Sequence, residues 1–358
     1  MEKYILSQHP KLNPVLTSNK VYIVDSIKSG TGRADDNLYS KIIKPLFQLL
    51  KIGYEYYATT SAASIVEFAR SLSKIEEDLT IIFISGDTSI NEFINGLPEA
   101  KANQNITVFP IPGGTGNSLA LSVNLTSQIE AVAKLVTSSN QPAPLYLYEV
   151  DFPTGSYHLV QDEKKDEIQG KLKFLVVVSW GFHASLVADS DTPELRKFGL
   201  QRFQIAAMNN LKQEQKYEGD CYINNRKISG PFAYWLVTSS QRFEPTFEIS
   251  PKGNIFEESL YLVTFNTQED KEGNGDYIMK VMKDVYNKGA HAEDPNVTYE
   301  KLKQGDEITL KTTNTEPIRN RRFCVDGSII ALPEQDRHEI KIAISNNVHK
   351  NWNLYILH

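Results

Sequence analysis

The sequence predicts an α/β fold followed by an all-β one: a nucleotide-binding-type N-terminal domain on a Rossmann-like parallel sheet, residues 1–142, then an antiparallel β-sandwich domain, residues 143–358. Three observations predict it. Up to about residue 140, short β-branched runs alternate with segments of helical period, the pattern of a parallel sheet covered by helices on both faces. After Gln141-Pro-Ala-Pro144 the texture changes to closely spaced strand-like runs. A chain of 358 residues is also too long for one ordinary core and suits two.

The elements follow in order. The run 21–25 (VYIVD) reads as a strand, and the small polar SIKSGTGRADD after it as a loop. Leu38, Ile42, Leu46, Leu49 and Leu50 recur at helical spacing, with Pro45 disturbing the centre and Gly53 as the C-terminal cap. A strand at 54–58 leads to a helix from Ser61 to about Leu72, with Ile65, Phe68 and Leu72 on one face. A strand at 79–84, a helix beginning near Ser89, a strand at 106–111 and helices after Gly116 and around 129–136 continue the alternation. In the second half, strand-like runs fall at 145–151, 171–180, 219–227, 231–240, 259–265, 306–312 and 339–345. Helices are expected over 195–211 and 277–288, the latter after a polar linker, TQEDKEGNGD, expected to be mobile.

Composition narrows the function classes. A formal net charge of −6 gives no global attraction for polyanions, so nucleic acid is excluded as a partner class, and any phosphate must be met by local groups. Cys221 and Cys324 lie far apart, which fits a reducing cytoplasm and two small buried hydrophobes better than a disulfide framework. The stretch MEKYILSQHPKLNP has no apolar run of the secretory kind, and no segment approaches the roughly 18–20 apolar residues that span a bilayer. The three Asn-x-Thr triplets at Asn105, Asn124 and Asn296 are therefore read as chance. The seven histidines show no metal-ligand spacing, and Trp180 and Trp235 read as core.

In an open α/β sheet ligands bind beyond the carboxyl ends of the strands, and two unusual loops fall there. The first, Ser85-Gly86-Asp87-Thr88-Ser89, runs from an apolar strand straight into a helix bearing Phe93, Ile94 and Leu97. Amides at a helix N-terminus and the helix dipole favour an anion, phosphate above all. An aspartate beside a phosphate raises the energy unless it takes a proton or holds a metal, which makes Asp87 a candidate general base or magnesium contact. The competing reading is that Asp87 caps the helix. The second loop, PIPGGTGNSLA, also joins strand to helix and carries Gly113, Gly114, Thr115, Gly116 and Asn117. Glycines admit a nucleotide close to the backbone, and Thr115 and Asn117 can bond its oxygens. Neither the Lys-Ser/Thr pair of a Walker loop nor the dinucleotide fingerprint is present.

These motifs carry a family resemblance. SGDTSINEFINGL resembles the SGDG or GGDGT signature of the lipid kinases that phosphorylate diacylglycerol, sphingosine and ceramide, and PGGTGNSLA resembles their P-x-G-T/S-x-N-x-x-A loop. SIKSGTGRA at 26–34 resembles their first loop. SWGFHASLVADSDTPELRKFGLQRF resembles a sphingosine and ceramide kinase segment ending in R-x-x-G-x-x-R-F/Y. FEISP at 247–251 and FCVDGS at 323–328 match further landmarks, so the similarity covers most of the chain in order. The resemblance implies ATP and Mg2+ in a cleft between the two domains and transfer of the γ-phosphate to a hydroxyl of a lipid substrate at a peripheral membrane surface. It implies Asp87 as the base and nucleotide contacts from Ser29, Gly30, Thr59, Ser85, Gly86, Thr88, Asn91, Glu92, Gly113, Gly114, Thr115, Gly116, Asn117, Arg196, Arg202, Asp326, Gly327 and Ser328. Counted back from Arg196, Asp189 falls on the lipid head-group position, with Ser185 and Asp191 as alternatives. By residue type alone, Arg196 and Arg202 also read as surface salt-bridge cations, and Asp189 as a helix N-cap.

The sequence departs from that pattern at four places. Thr88 stands for the last glycine of G-D-G, Ser328 for the glutamate of D-G-E, Ser26-Ile27 for Asn-Pro, and residues 256–260 for a D-G-x-L-D-like element. The expected function is an ATP-dependent lipid kinase acting on a sphingoid base, ceramide or diacylglycerol. The alternatives are a weak or silent lipid- or nucleotide-binding protein of the same fold, and an NAD kinase. Lipid, membrane and oligomeric state are not specified by sequence.

Overall fold

A computed structural model describes residues 12–27, 37–99, 103–268, 274–313, 316–344 and 352–358. The chain divides into two compact units, Met1–Tyr146 with His349–His358, and Leu147–Val348.

The first unit is built on a six-stranded sheet. Its strands are β1 (Lys20–Asp25), β2 (Glu55–Ala58), β3 (Leu79–Ser85), β4 (Gln104–Pro112), β5 (Ala143–Pro144) and a C-terminal strand, Trp352–Ile356. The order is β2-β1-β3-β4, then the C-terminal strand, then β5. The pairings from β2 through the C-terminal strand are parallel, and β5 is antiparallel. Every residue of β3 is buried, as expected of a central parallel strand covered on both faces. Sequence reading assigned residues 143–358 to the second domain. The strand 352–356 instead completes the first sheet, because β4 has an open edge that the sequence between 104 and 112 does not reveal.

Helices cover this sheet. The segment before α1 (Lys44–Leu49) is a π-turn, Tyr39–Ile43, which runs directly into α1 with Lys44 N–H bonded to Tyr39 O, so the irregularity expected at Pro45 is a π-turn just before it. The expected cap at Gly53 falls two residues earlier. Lys51 adopts the left-handed conformation (φ 56°) and the Ile52 N–H bonds Phe47 O at 2.9 Å. In α2 (Ser64–Ser71) the Ser64 hydroxyl accepts the N–H groups of Thr60 and Ser61. The next helix, α3 (Asp87–Gly96), packs on α2 through Gly96, where a Cβ would lie 3.1 Å from Ala69 Cβ and Val66 Cα. It starts at Asp87, two residues before the expected Ser89. Helices α4 (Ser118–Ser122) and α5 (Gln128–Thr137) follow β4, the latter capped by the Ser127 hydroxyl.

The second unit holds two antiparallel sheets, of eight and six strands. The apolar run 171–180 supplies a strand to each: Leu172–Phe174 belongs to the six-stranded sheet and β6 (Val177–Gly181) to the eight-stranded one. The corner between them leaves backbone N–H groups without ladder partners, and the Asp326 carboxylate accepts them. Leu175 N lies 2.7 Å from Oδ2, and Val176 N and Val177 N lie 2.9 and 2.7 Å from Oδ1. Asp326 and Gly327, at φ 46° and 92°, form the two-residue turn between β7 (Arg322–Val325) and β8 (Ser328–Ala331).

Helix α6 (Phe182–Ser190) leaves β6 through Gly181 (φ 81°), where a Cβ would meet Ala233 O at 3.0 Å. Sequence reading missed α6, because Trp180-Gly-Phe182 extends the apolar strand pattern. The single helix expected over 195–211 is two, α7 (Pro193–Arg196) and α8 (Gln201–Asn210), separated at Gly199 (φ 55°). Helix α9 (Asn274–Tyr286) answers to the one expected over 277–288, while residues 269–273 of the preceding linker lie outside the described residues. Trp180 and Trp235 are fully buried, and Trp180 stacks on Phe323 at 6.0 Å, so both are core as expected. Cys221 and Cys324 are buried free thiols. No helix among the described residues is long and apolar enough to cross a membrane.

Candidate phosphate-binding loops and arginine cluster

The two loops singled out by sequence lie side by side. Strands β3 and β4 are parallel neighbours in register, Ser85 opposite Pro112, so both loops leave the same edge of the sheet. The Gly113 N–H bonds Ser85 O at 2.9 Å. The backbones then approach until no side chain fits: a Cβ on Gly114 would lie 2.5 Å from Gly86 Cα and 2.9 Å from Gly86 N, and one on Gly86 would lie 3.0 Å from Gly116 O. Ser85 is buried, its hydroxyl donating to Gly86 O at 3.1 Å. Asn117 closes the second loop on itself, its Oδ1 accepting Gly114 N–H at 3.0 Å and its Nδ2 donating to Gly114 O at 2.9 Å. A Cβ on Gly116 would meet nothing within 4 Å, so this position faces open space.

Asp87 joins the loops. Its Oδ2 accepts the Ser118 N–H at 2.7 Å and its Oδ1 the Leu119 N–H at 3.0 Å. Asp87 thus caps a helix, but that helix is α4, which opens from the other loop, rather than its own. Burial pushes the carboxyl above its ordinary value, and the Leu119 and Ser118 amides pull the other way. Helix α3 itself begins without a side-chain cap. On it, Thr88 is half-buried, and Asn91 is buried with its O and Oδ1 accepting from Asn95 Nδ2, each at 3.1 Å. Glu92, half-buried on the same helix, has its carboxyl pushed up to about 7 by burial. Thr59, just past β2, is buried and its N–H bonds Asp25 O at 3.0 Å. Asp25 ends β1 fully buried, with Tyr56 Oη donating to its Oδ2 at 3.1 Å, a carboxylate that the sequence reading did not single out. Ser29 and Gly30 lie outside the described residues.

The remaining candidates are in the second unit, in three groups. Arg196 holds Asp191 with two bonds (Nε to Oδ1, 2.9 Å; an η-nitrogen to Oδ2, 2.8 Å), and Arg202 adds a third to Oδ1 at 2.9 Å. Burial opposes ionisation of Asp191, and Arg196 and Arg202 overcome it, holding its carboxyl below the usual range. Asp189, at the end of α6, accepts from an Arg322 η-nitrogen at 2.7 Å and from Asn210 Nδ2 at 2.9 Å. Asp326 is buried under its three amides, with Gly327 exposed and Ser328 half-buried beside it. Ser185, the alternative to Asp189, is fully buried and bonds Tyr217 Oη at 2.9 Å. Sequence reasoning had no signal for Arg322 or Asn210 as partners of Asp189, since neither spacing is local.

Residues 20–146 match the model of the diacylglycerol kinase catalytic domain. Sphingosine kinase 1 of Rattus norvegicus is 25% identical over 280 residues, 71% of this chain and 67% of the relative. Sphingoid long chain base kinase 5 of Saccharomyces cerevisiae is 26% identical over 58% of this chain, and sphingoid long-chain bases kinase 1 of Arabidopsis thaliana is 31% identical over 55%. The chain spans only 28% and 24% of the length of those last two. The crystal structure of a diacylglycerol kinase from Bacillus anthracis str. Sterne aligns with a TM-score of 0.54 at 12% identity, over 94% of this chain and 96% of that one. A second structure from the same strain aligns at 0.61 and 16% identity over 94% of each chain, so the fold is shared. Through residues 20–146, this chain is a relative of the proteins that carry the diacylglycerol kinase catalytic domain.

Proposed function

We propose that the chain is an ATP-dependent lipid kinase that transfers the γ-phosphate of ATP to a lipid hydroxyl. The observation that carries the reading is the contact between the two strand-to-helix loops, with Gly86 against Gly114 and the half-buried Asp87 bridging them. The uncapped start of α3 directs amides and a helix dipole towards an anion, and Gly116 leaves room for one. The family resemblance assigns to Arg196 and Arg202 the positive charge that phosphoryl transfer requires over the phosphates. In the reaction the lipid oxygen attacks Pγ, the bond from Pγ to the bridging oxygen breaks, and ADP leaves with the electron pair. The hydroxyl proton passes to Asp87, whose burial raises its affinity for a proton. Among the described residues no group of three or more His, Cys, Asp or Glu side chains is disposed around one point. A magnesium ion would therefore take most of its oxygens from the phosphates and water. Asp189 is assigned to the lipid head group, and the protein works at a membrane surface from the cytoplasmic side.

A second reading, nucleotide or lipid binding without turnover, is favoured by the two amide bonds that already occupy Asp87 and the three that occupy Asp326. Incubation with labelled ATP, Mg2+ and a lipid panel separates the two. The kinase reading expects one lipid class to be labelled by the wild type and a loss of about 100-fold or more in Asp87→Asn. ATP binding without labelling, unchanged in Asp87→Asn, supports the silent reading. An arm with NAD in place of lipid tests the NAD kinase alternative.

A further inference from the structure

We infer that the lipid acceptor is an uncharged lipid alcohol, and that Arg322 is the residue that sets this preference by neutralising the head-group carboxylate Asp189. The inference rests on the kinase reading and on the assignment of Asp189 above. A sphingoid base carries an ammonium group, which needs a carboxylate with charge to spare when it leaves water. Asp189 has none to spare. One of its oxygens lies 2.7 Å from the Arg322 guanidinium and the other accepts from Asn210 Nδ2 at 2.9 Å.

Arg322 cannot readily turn away. Its side chain is 8% exposed and starts from β7, in the interior of the eight-stranded sheet, so withdrawing from Asp189 would leave a buried cation without its close partner. Asn210 is likewise buried and fixed by a second bond to Ala206 O. The neighbouring acid offers no substitute, because Asp191 is held by both Arg196 and Arg202. Three guanidiniums thus pair with two carboxylates at the end of α6, Arg322 with Asp189, and Arg196 and Arg202 with Asp191. Asp162, 81% exposed and 3.9 Å from Arg322, brings the balance only to zero. An ammonium entering here meets no excess negative charge. A hydroxyl or amide head group can instead accept from Arg322 or share Asn210 without stranding a charge.

The test uses the purified full chain with labelled ATP and two acceptors in detergent mixed micelles: sphingosine and its N-acetyl derivative, which differ at the nitrogen and in its charge. A short-chain diacylglycerol forms a third arm. The expected result is a kcat/KM at least about tenfold higher for N-acetylsphingosine or diacylglycerol than for sphingosine, equivalent to about 1.4 kcal/mol. Arg322→Met, which uncovers the carboxylate, should shift the ratio at least tenfold towards sphingosine, while Arg322→Lys should keep the wild-type order. Should Arg322→Met not fold, the wild-type comparison decides alone. A wild type that prefers sphingosine, or a folded Arg322→Met with an unchanged ratio, overturns the inference and leaves the kinase reading standing. Labelling of no acceptor removes both.

Discussion

Replacing Gly114 by alanine tests the contact on which the candidate site depends. The new Cβ would sit 2.5 Å from Gly86 Cα and 2.9 Å from Gly86 N, where carbon atoms in contact normally stand about 3.5–4.0 Å apart. Both obstacles are backbone atoms, so the loops themselves must separate by about 1 Å. Overpacking of this kind costs about 1–3 kcal/mol. Separation also loosens the 2.9 Å bond from Gly113 N to Ser85 O, which contributes about 1 kcal/mol. For a unit of this size a loss of about 2–4 kcal/mol lowers the melting temperature of the first unit by about 5–15 °C. Gly116→Ala is the matched control: its Cβ meets nothing within 4 Å, so stability should stay within about 0.5 kcal/mol while nucleotide affinity falls. Differential scanning calorimetry with nucleotide titration reads both quantities. A Gly114→Ala protein that melts within a degree of the wild type would refute the packing argument.

Asp326→Ala removes the acceptor of three buried amides, and calorimetry should show the second unit destabilised by about 3 kcal/mol or more. Asp191→Asn weakens the clamp on Arg196 and Arg202 and lets two like charges part, so steady-state kinetics should show the KM for ATP raised about five- to tenfold with kcat nearly unchanged. Glu92 titrates higher in the folded chain, at about 7, than the 4.5 of a free glutamate, so the folded state binds the extra proton. Its contribution to stability is present below about pH 4.5 and is lost as the pH rises to 7. Melting curves of Glu92→Gln against wild type should therefore diverge across that window, the variant gaining as pH rises.

Much of the first unit is legible because its elements are set locally. The periods of 2 and 3.6 residues mark β1 to β4 and their helices, and Ser85 to Asn117 holds two strand-to-helix loops whose strands pair directly. What the sequence concealed is non-local. The same loop that suggests a phosphate site also hides the destination of Asp87, because its amide partners lie 31 and 32 positions on. The run 171–180 reads as one strand although it turns a corner between two sheets, and nothing near it points to Asp326 as the acceptor. Arg322 meets Asp189 across 133 positions for the same reason.

The strand Trp352–Ile356 has a consequence for how the protein is made. Paired with β4 on one side and β5 on the other, it closes a gap in a sheet whose other members are translated more than 200 residues earlier. Until the ribosome releases that segment, β4 presents an open apolar edge, a template for mispairing with other nascent chains. A chaperone that shields residues 104–112 during synthesis, or a truncation that ends before 352, would act on the first unit through residues that lie beyond the second.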